Sequence, residues 1–119
     1  MWYEYLSENN FIKLLYNEVP ALKNLRISRE GDRITVSSDM PVFPDNPPKK
    51  WVEKSDSIAF VELDFFDIQE VILRSNNNTY RANIDIEKDE AGDLIVSISG
   101  TVQAKIRAAV GIIQSVRGY

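Results

Sequence analysis

The stretch "YRANIDIEKDEAGDLIVSIS" (residues 80–99) decides the fold, because apolar and polar residues alternate along both of its halves. A period of two residues predicts half-buried β-strands, since successive side chains of a strand point to opposite faces. The turn "KDEAGD" (88–93) between the halves predicts an antiparallel hairpin. The inward positions are Tyr80, Ala82, Ile84 and Ile86 in the first strand and Leu94, Val96 and Ile98 in the second.

The same period continues towards the N-terminus. Residues 25–36 predict another hairpin, with its turn at "EGD" (30–32). "SIAFVELDFF" (57–66) and "IQEVILR" (68–74) predict two further strands. "SNNN" (75–78) predicts a turn, because asparagine tolerates positive φ angles. In the strand at 57–66 one face carries Ala59, Val61, Leu63 and Phe65, and the other carries Ile58, Phe60, Glu62 and Asp64.

The last segment, "TVQAKIRAAVGIIQSVRGY" (101–119), combines alanines that favour a helix with an alternation that favours a strand. The period outweighs the propensity, so this segment is predicted to be a strand with a bulge or bend at Gly111. The predicted inward positions are Val102, Ala104, Ile106, Ala108 and Val110.

One helix is predicted near the N-terminus, from Glu8 to Val19. Ser7 or Asn9 can cap its start, and Pro20 ends it because a proline disfavours helical geometry in the residue before it. Its apolar residues recur at helical spacing and are Phe11, Ile12, Leu14, Leu15, Tyr16 and Val19. The fold class is therefore α+β, with an N-terminal helix packed on a mostly antiparallel, curved sheet of about six or seven strands.

Length and composition indicate one domain over residues 1–119. The chain has 44% hydrophobic and 27% charged residues, which is typical of a globular protein. No apolar run approaches the roughly 18–20 residues of a membrane helix, and "MWYEYLSENN" (1–10) does not resemble a signal peptide. We therefore expect a cytoplasmic protein without a membrane segment.

The absence of cysteine and histidine limits the possible chemistry. It excludes disulfides, thiol nucleophiles, and triads or zinc sites built on histidine. An enzyme would depend on carboxylates, lysine, tyrosine or hydroxyl groups, so we predict a non-catalytic protein without a cofactor or metal. The "KDEAGD" turn also lacks the ligand spacing of a calcium loop.

The net charge of −4, from 18 acidic and 14 basic residues, indicates the class of partner. Nucleic-acid binding is disfavoured, because such proteins neutralise phosphates with a basic surface. An acidic surface favours association with a basic protein by electrostatic steering, although it also serves solubility alone.

Two acidic pairs stand out on predicted strands. Glu62 and Asp64 share one face at about 7 Å, and Asp85 and Glu87 repeat the pattern. Each pair can be a hydrated strand face or a partner contact, and the first can also supply acid–base catalysis of the glycosidase type. If the strands pair side by side, the four carboxylates form one acidic strip. Like charges opposite each other destabilise a sheet, so a strip of this kind would indicate a function.

The segment "PVFPDNPPKKW" (41–51) holds four of the five prolines of the chain. Proline fixes φ and removes a backbone donor, which excludes a central strand and favours an extended, stiff chain. The segment is predicted to be a crossover anchored by Phe43 and Trp51. The alternative is a rigid loop that contacts a partner around Asp45 and Trp51.

Several of these segments together resemble the immunity protein 50 family. They are "MWYEYLSENNFIKLLYNEVP" (1–20), "FPDNPPKKW" (43–51), "VELDFFDI" (61–68), "DIEKDEAG" (85–92), "SISG" (97–100) and the final "GY" (118–119). The resemblance implies a small bacterial protein of a polymorphic-toxin system that binds a cognate toxin in the producing cell and neutralises it without catalysis.

Two other functions are alternatives to toxin immunity. A carboxylate-based enzyme would place Glu62 and Asp64 together in a deep pocket. A ligand-binding or structural module would have an apolar cavity under the curved sheet. The identity of the toxin and the oligomeric state stay open at this point.

Overall fold

The computed structural model describes residues 1–75 and 80–119, and only the backbone of Tyr80. Within these ranges the chain forms six strands and two short helices, which confirms the predicted α+β class with an N-terminal helix and antiparallel strands. The elements are α1 (Asn10–Leu15), β1 (Asn24–Glu30), β2 (Arg33–Asp39), α2 (Lys49–Glu53), β3 (Ala59–Ser75), β4 (Tyr80–Lys88), β5 (Leu94–Gly100) and β6 (Val102–Gly118). The turn expected at 75–78 lies, from residue 76 onward, outside the described residues.

The six strands close into a barrel in the order β1-β2-β3-β6-β5-β4. The two predicted hairpins are present: β1 pairs with β2, and β4 pairs with β5 through partners such as Asp85 and Ser97. The barrel closes where Asn24 and Leu25 of β1 lie opposite Arg81 and Tyr80 of β4. Closure gives the backbone groups of these outer strands hydrogen-bond partners that an open sheet edge would lack.

β3 and β6 are each 17 residues long and pair along their full length, so each is a continuous strand. The alternation in β6 breaks between Ala108 and Gly111, which are both buried. Opposite this point, Asp67 of β3 has a positive φ of 55°. The break beside Gly111 turns Val110 outward, where it is 49% exposed, so the predicted inward position of Val110 is wrong.

α1 is shorter than predicted, because the backbone leaves the helical conformation at both ends, where side chains contact other parts of the chain. Glu8 has a positive φ of 62°, and Tyr16 is extended with φ −120° and ψ 134°. The Asn9 side chain does not cap α1 but donates to the carbonyl of Tyr3 at 2.9 Å. The buried Tyr16 donates its hydroxyl hydrogen to the carbonyl of Val42 at 2.7 Å. These contacts replace the predicted three-turn helix with six helical residues.

The N-terminal segment covers the part of β6 that β5 does not reach. β5 pairs with β6 only as far as Ala108, and the backbone of Ser7 then bonds Gly111 and Ile113 at 3.0 Å each. This docking adds N-terminal side chains to the barrel core, namely Trp2, Leu6, Ile12, Leu15 and Tyr16. Neither helix of the described residues is long and apolar enough to cross a membrane.

Candidate functional site

The candidate site is the outer surface of three neighbouring strands, which we call the β3 face. It consists of the outward side chains of β3 between Phe60 and Phe66, with their neighbours on β2 and β6. Four rows cross it in register: Asp39–Phe60–Arg117, Ser37–Glu62–Ser115, Thr35–Asp64–Ile112 and Arg33–Phe66–Val110. The predicted pairing of Glu62 and Asp64 on one face is therefore present.

The carboxylate of Asp64 is almost completely buried although it points away from the barrel core. Asp64 is only 3% exposed, and its Oδ1 accepts a hydrogen bond of 2.6 Å from the hydroxyl of Thr35. Glu62 is half-buried on the same strand. These two residues therefore do not form the freely hydrated strand face that was one interpretation of the sequence.

No ion pair among the described residues includes Glu62 or Asp64. The arginines at the margins of the β3 face have other partners. Arg33 pairs with Glu30 at 3.0 Å, and the guanidinium of Arg117 lies 4.8 Å from the ring centre of Phe60. A buried carboxylate without a compensating cation is unfavourable, and Glu62 and Asp64 have no ion-pair partner among the described residues, while Arg26 lies in the Glu62 row two strands away.

An apolar pair lies beside these carboxylates. Phe66 of β3 is directly opposite Val110 of β6, and the two are 37% and 49% exposed. Next to Phe66 is a shallow depression of about 380 Å³, lined by Glu30, Asp32, Arg33 and Phe66. The β3 face therefore combines an acidic centre with an exposed apolar pair at one end.

Asp85 and Glu87 lie elsewhere on the barrel. Both are exposed on β4, whose neighbours are β5 and β1. β5 and β6 separate β4 from β3 on one side, and β1 and β2 separate them on the other. The four carboxylates therefore do not form one strip, because β6 occupies the place beside β3 that side-by-side pairing would have given to β4.

Trp51 is an internal anchor of the proline-rich crossover. It lies on α2, a short helix that the sequence did not predict, and is 8% exposed. Its ring packs edge-on against Phe11 and at a tilt against Phe43, with centroids 6.2 Å apart in both pairs. A Cβ atom at Gly118 would come within 2.7 Å of the indole. Little of Trp51 is left for a partner.

Asp45 is exposed and connects the crossover to the N-terminal segment. Its Oδ2 accepts a hydrogen bond of 3.0 Å from the backbone N–H of Asn17. The backbone N–H of Asn46 donates to the carbonyl of Leu15 at 2.9 Å. The crossover thus stabilises the end of α1, and a partner contact at Asp45 stays a prediction.

The geometry expected for the two alternative functions is not the geometry observed here. A ligand-binding module was expected to have an apolar cavity under β3, but this part of the barrel interior is filled by Val61, Leu63 and Phe65, each 0% exposed. A carboxylate-based enzyme was expected to hold Glu62 and Asp64 in a deep pocket, but both point to the outside of the barrel.

Sequence reasoning did not single out Phe66 or Val110. Phe66 continues the outward series of Phe60, Glu62 and Asp64, so strict alternation could have placed it on this face. Val110 could not be found in this way, because the break beside Gly111 reverses the pattern of β6.

A family model described as immunity protein 50 matches residues 8–119, which include every strand and the whole β3 face. No curated protein and no solved structure matches the chain.

Proposed function

Because this chain belongs to the immunity protein 50 family, we propose that it binds a cognate toxin and neutralises it by stoichiometric occlusion. The observation that carries this proposal is the match over residues 8–119, which leaves only seven N-terminal residues outside. A toxin-immunity role follows from the family, and occlusion is the mechanism that we add.

Occlusion requires a rigid surface and no reaction. A closed barrel with its N-terminal segment docked on β6 supports that requirement. The sequence offers no histidine or cysteine for acid–base or nucleophilic catalysis. The protein is accordingly a binder and not an enzyme.

The proposed partner is a basic toxin domain of a polymorphic-toxin system. This chain binds it in the cytoplasm of the bacterium that produces both proteins. The net charge of −4 and the outward carboxylates of β3 and β4 support a cationic partner. Complementary charge accelerates encounter, which is useful to a protein that must intercept a toxin before the toxin acts.

The test starts from the gene adjacent to that of this chain; where it encodes a large secreted protein, the C-terminal domain of that protein is the candidate toxin. The domain is induced in a bacterial host with this chain or with an unrelated acidic protein of similar size. We expect growth only with this chain, and a one-to-one complex by size-exclusion chromatography with light scattering.

The dose separates occlusion from catalysis. Protection should rise with the amount of this chain and become complete near an equimolar ratio. Full toxicity at molar excess would contradict the immunity function, and full protection at a small fraction of the toxin concentration would contradict occlusion.

A further inference from the structure

The β3 face shows an inversion of burial between two residues of the same strand. Asp64 is 3% exposed and Phe66 is 37% exposed, although both point outward and are only two positions apart. Folding alone favours the opposite arrangement, because aromatic rings gain from burial and carboxylates lose hydration. Where a sequence departs from what stability favours, the position is commonly a functional one.

The charges of the β3 face specify what its ligand must supply. Glu62 and Asp64 take part in none of the ion pairs of the described residues, and Thr35 is the hydrogen-bond donor to Oδ1 of Asp64. Arg33 and Arg117 are engaged with Glu30 and Phe60. The component that the described part of this surface lacks is therefore a cation in direct contact with Glu62.

We infer, on the basis of the proposed immunity function, that the β3 face is the toxin-docking surface, and that the toxin places a basic side chain against the half-buried Glu62, while Asp64 stays buried beside it. A neighbouring apolar side chain of the toxin covers Phe66 and Val110. Glu62 and Phe66 are four positions apart on β3, so about 14 Å separates them and one lysine or arginine does not cover both. The stem of the basic side chain packs on apolar surface while its head bonds the Glu62 carboxylate.

A second copy of this chain is a poor occupant of the same face. In a two-fold symmetric dimer the same patch meets itself, so Glu62 and Asp64 of both copies would lie close together. Like charges in a desolvated interface are unfavourable. A basic toxin surface has no such repulsion.

The experiment measures binding of the purified candidate toxin domain, as defined for the growth test, to variants of this chain by calorimetry. The test variants are Phe66→Ser, Val110→Ser and Glu62→Gln. The controls are Leu14→Ser, which removes a 70% exposed apolar side chain from α1, and Asp85→Asn with Glu87→Gln, which removes two charges from β4. We expect each test variant to weaken binding about tenfold or more, and both controls to stay within about twofold of the wild type.

Stability measurements separate docking from folding. Phe66 and Val110 are 37% and 49% exposed and form a cross-strand pair, so each serine variant should lose about 1 kcal/mol of stability, which lowers the melting temperature by a few degrees. A lowered affinity of a variant that is still fully folded at the assay temperature would then report a lost contact.

Four outcomes are informative. Wild-type affinity of all three test variants would overturn the docking inference and leave the immunity function intact. A larger loss in the β4 control would overturn it in favour of another face. Conversion of a dimer to a monomer by Phe66→Ser, with toxin binding unchanged, would also overturn it. Wild-type protein that neither binds nor protects would refute the proposed function itself.

Discussion

At the scale of single residues, Gly111 shows how one missing side chain permits the docking of the N-terminal segment. A Cβ atom at this position would come within 2.7 Å of Leu6 and of Leu94, and within 3.0 Å of Phe65. Contacts under about 3 Å are repulsive, so only glycine lets these three core side chains meet against β6. The sequence identified Gly111 as special but assigned it to a bulge or bend and not to close packing.

We expect Gly111→Ala to lower the free energy of unfolding by about 1–3 kcal/mol through overpacking. Urea unfolding measures the change, and Gln114→Ala, exposed on the same strand, is the control. Equal stability of the two variants would mean that Leu6 and Leu94 can move apart without cost.

Tyr16 is a second residue whose environment determines a measurable property. Burial, and to a lesser extent the nearby charge of Asp45, raise the pKa of Tyr16 from 10.0 to about 12. The folded state therefore retains the phenol proton at a pH where the unfolded chain releases it. This contribution to stability is complete below pH 10.0 and is lost as the pH rises towards 12.

We expect Tyr16→Phe to cost about 0.5–1.5 kcal/mol at pH 7, because the hydrogen bond to the carbonyl of Val42 is lost. Between pH 9 and pH 11.5 the stability of the wild type should fall more steeply than that of the variant. Urea unfolding across this range measures both slopes, and the other tyrosines cancel in the comparison. Parallel slopes would show that Tyr16 does not titrate in this way.

At the scale of elements, regular alternation of apolar and polar residues predicted strands correctly where it was unbroken, whereas the bounds of α1 and the presence of α2 were not predicted. β4 was predicted because Ala82, Ile84 and Ile86 alternate with polar residues without a break, and β5 because Leu94, Val96 and Ile98 do the same. α1 was predicted too long, because the tertiary hydrogen bond of Tyr16 overrides local helical preference. α2 was missed, because residues next to prolines indicated an extended chain, yet Pro48 at φ −59° and ψ 146° can precede a helix.

The prediction at this scale concerns Trp51 of α2. Its indole packs against Phe11 of α1, Phe43 of the crossover and Gly118 of β6. We expect Trp51→Ala to lower the free energy of unfolding by about 3–5 kcal/mol, as is usual for a buried aromatic residue. Val52→Ala, on the exposed side of α2, should change it by less than about 0.5 kcal/mol. Denaturant unfolding compares the two.

The conservative variant Trp51→Phe tests the alternative role of Trp51 as a partner contact. It should bind the toxin domain as the wild type does, since the ring lies between Phe11 and Phe43. A tenfold loss of affinity in a folded Trp51→Phe protein would restore the crossover as a binding surface.

At the scale of the whole molecule, the strand order was the part that the sequence could not supply. Periodicity assigns the faces of a strand but not its neighbours, and short turns favour pairing of consecutive strands. Here β6 returns to pair with β3 along 17 residues and separates β3 from β5. The proximity of Glu62 and Asp64 was therefore predictable, whereas the separation of both from Asp85 and Glu87 was not.

If the β3 face docks the toxin as inferred above, that separation gives the two acidic groups different kinetic roles. The carboxylates of β4 would then act on the encounter through the field of the whole molecule, and Glu62 on the β3 face would act on dissociation through direct contact. We expect the wild-type association rate constant to fall about tenfold or more between about 15 mM and 500 mM salt. Asp85→Asn with Glu87→Gln should slow association by no more than about twofold without changing dissociation, which agrees with its small effect on affinity, whereas Phe66→Ser should accelerate dissociation and leave association nearly unchanged. Surface plasmon resonance with the toxin domain at several salt concentrations measures both constants. If the β4 variant accelerated dissociation as much as Phe66→Ser does, the assignment of steering to β4 and contact to the β3 face would be wrong.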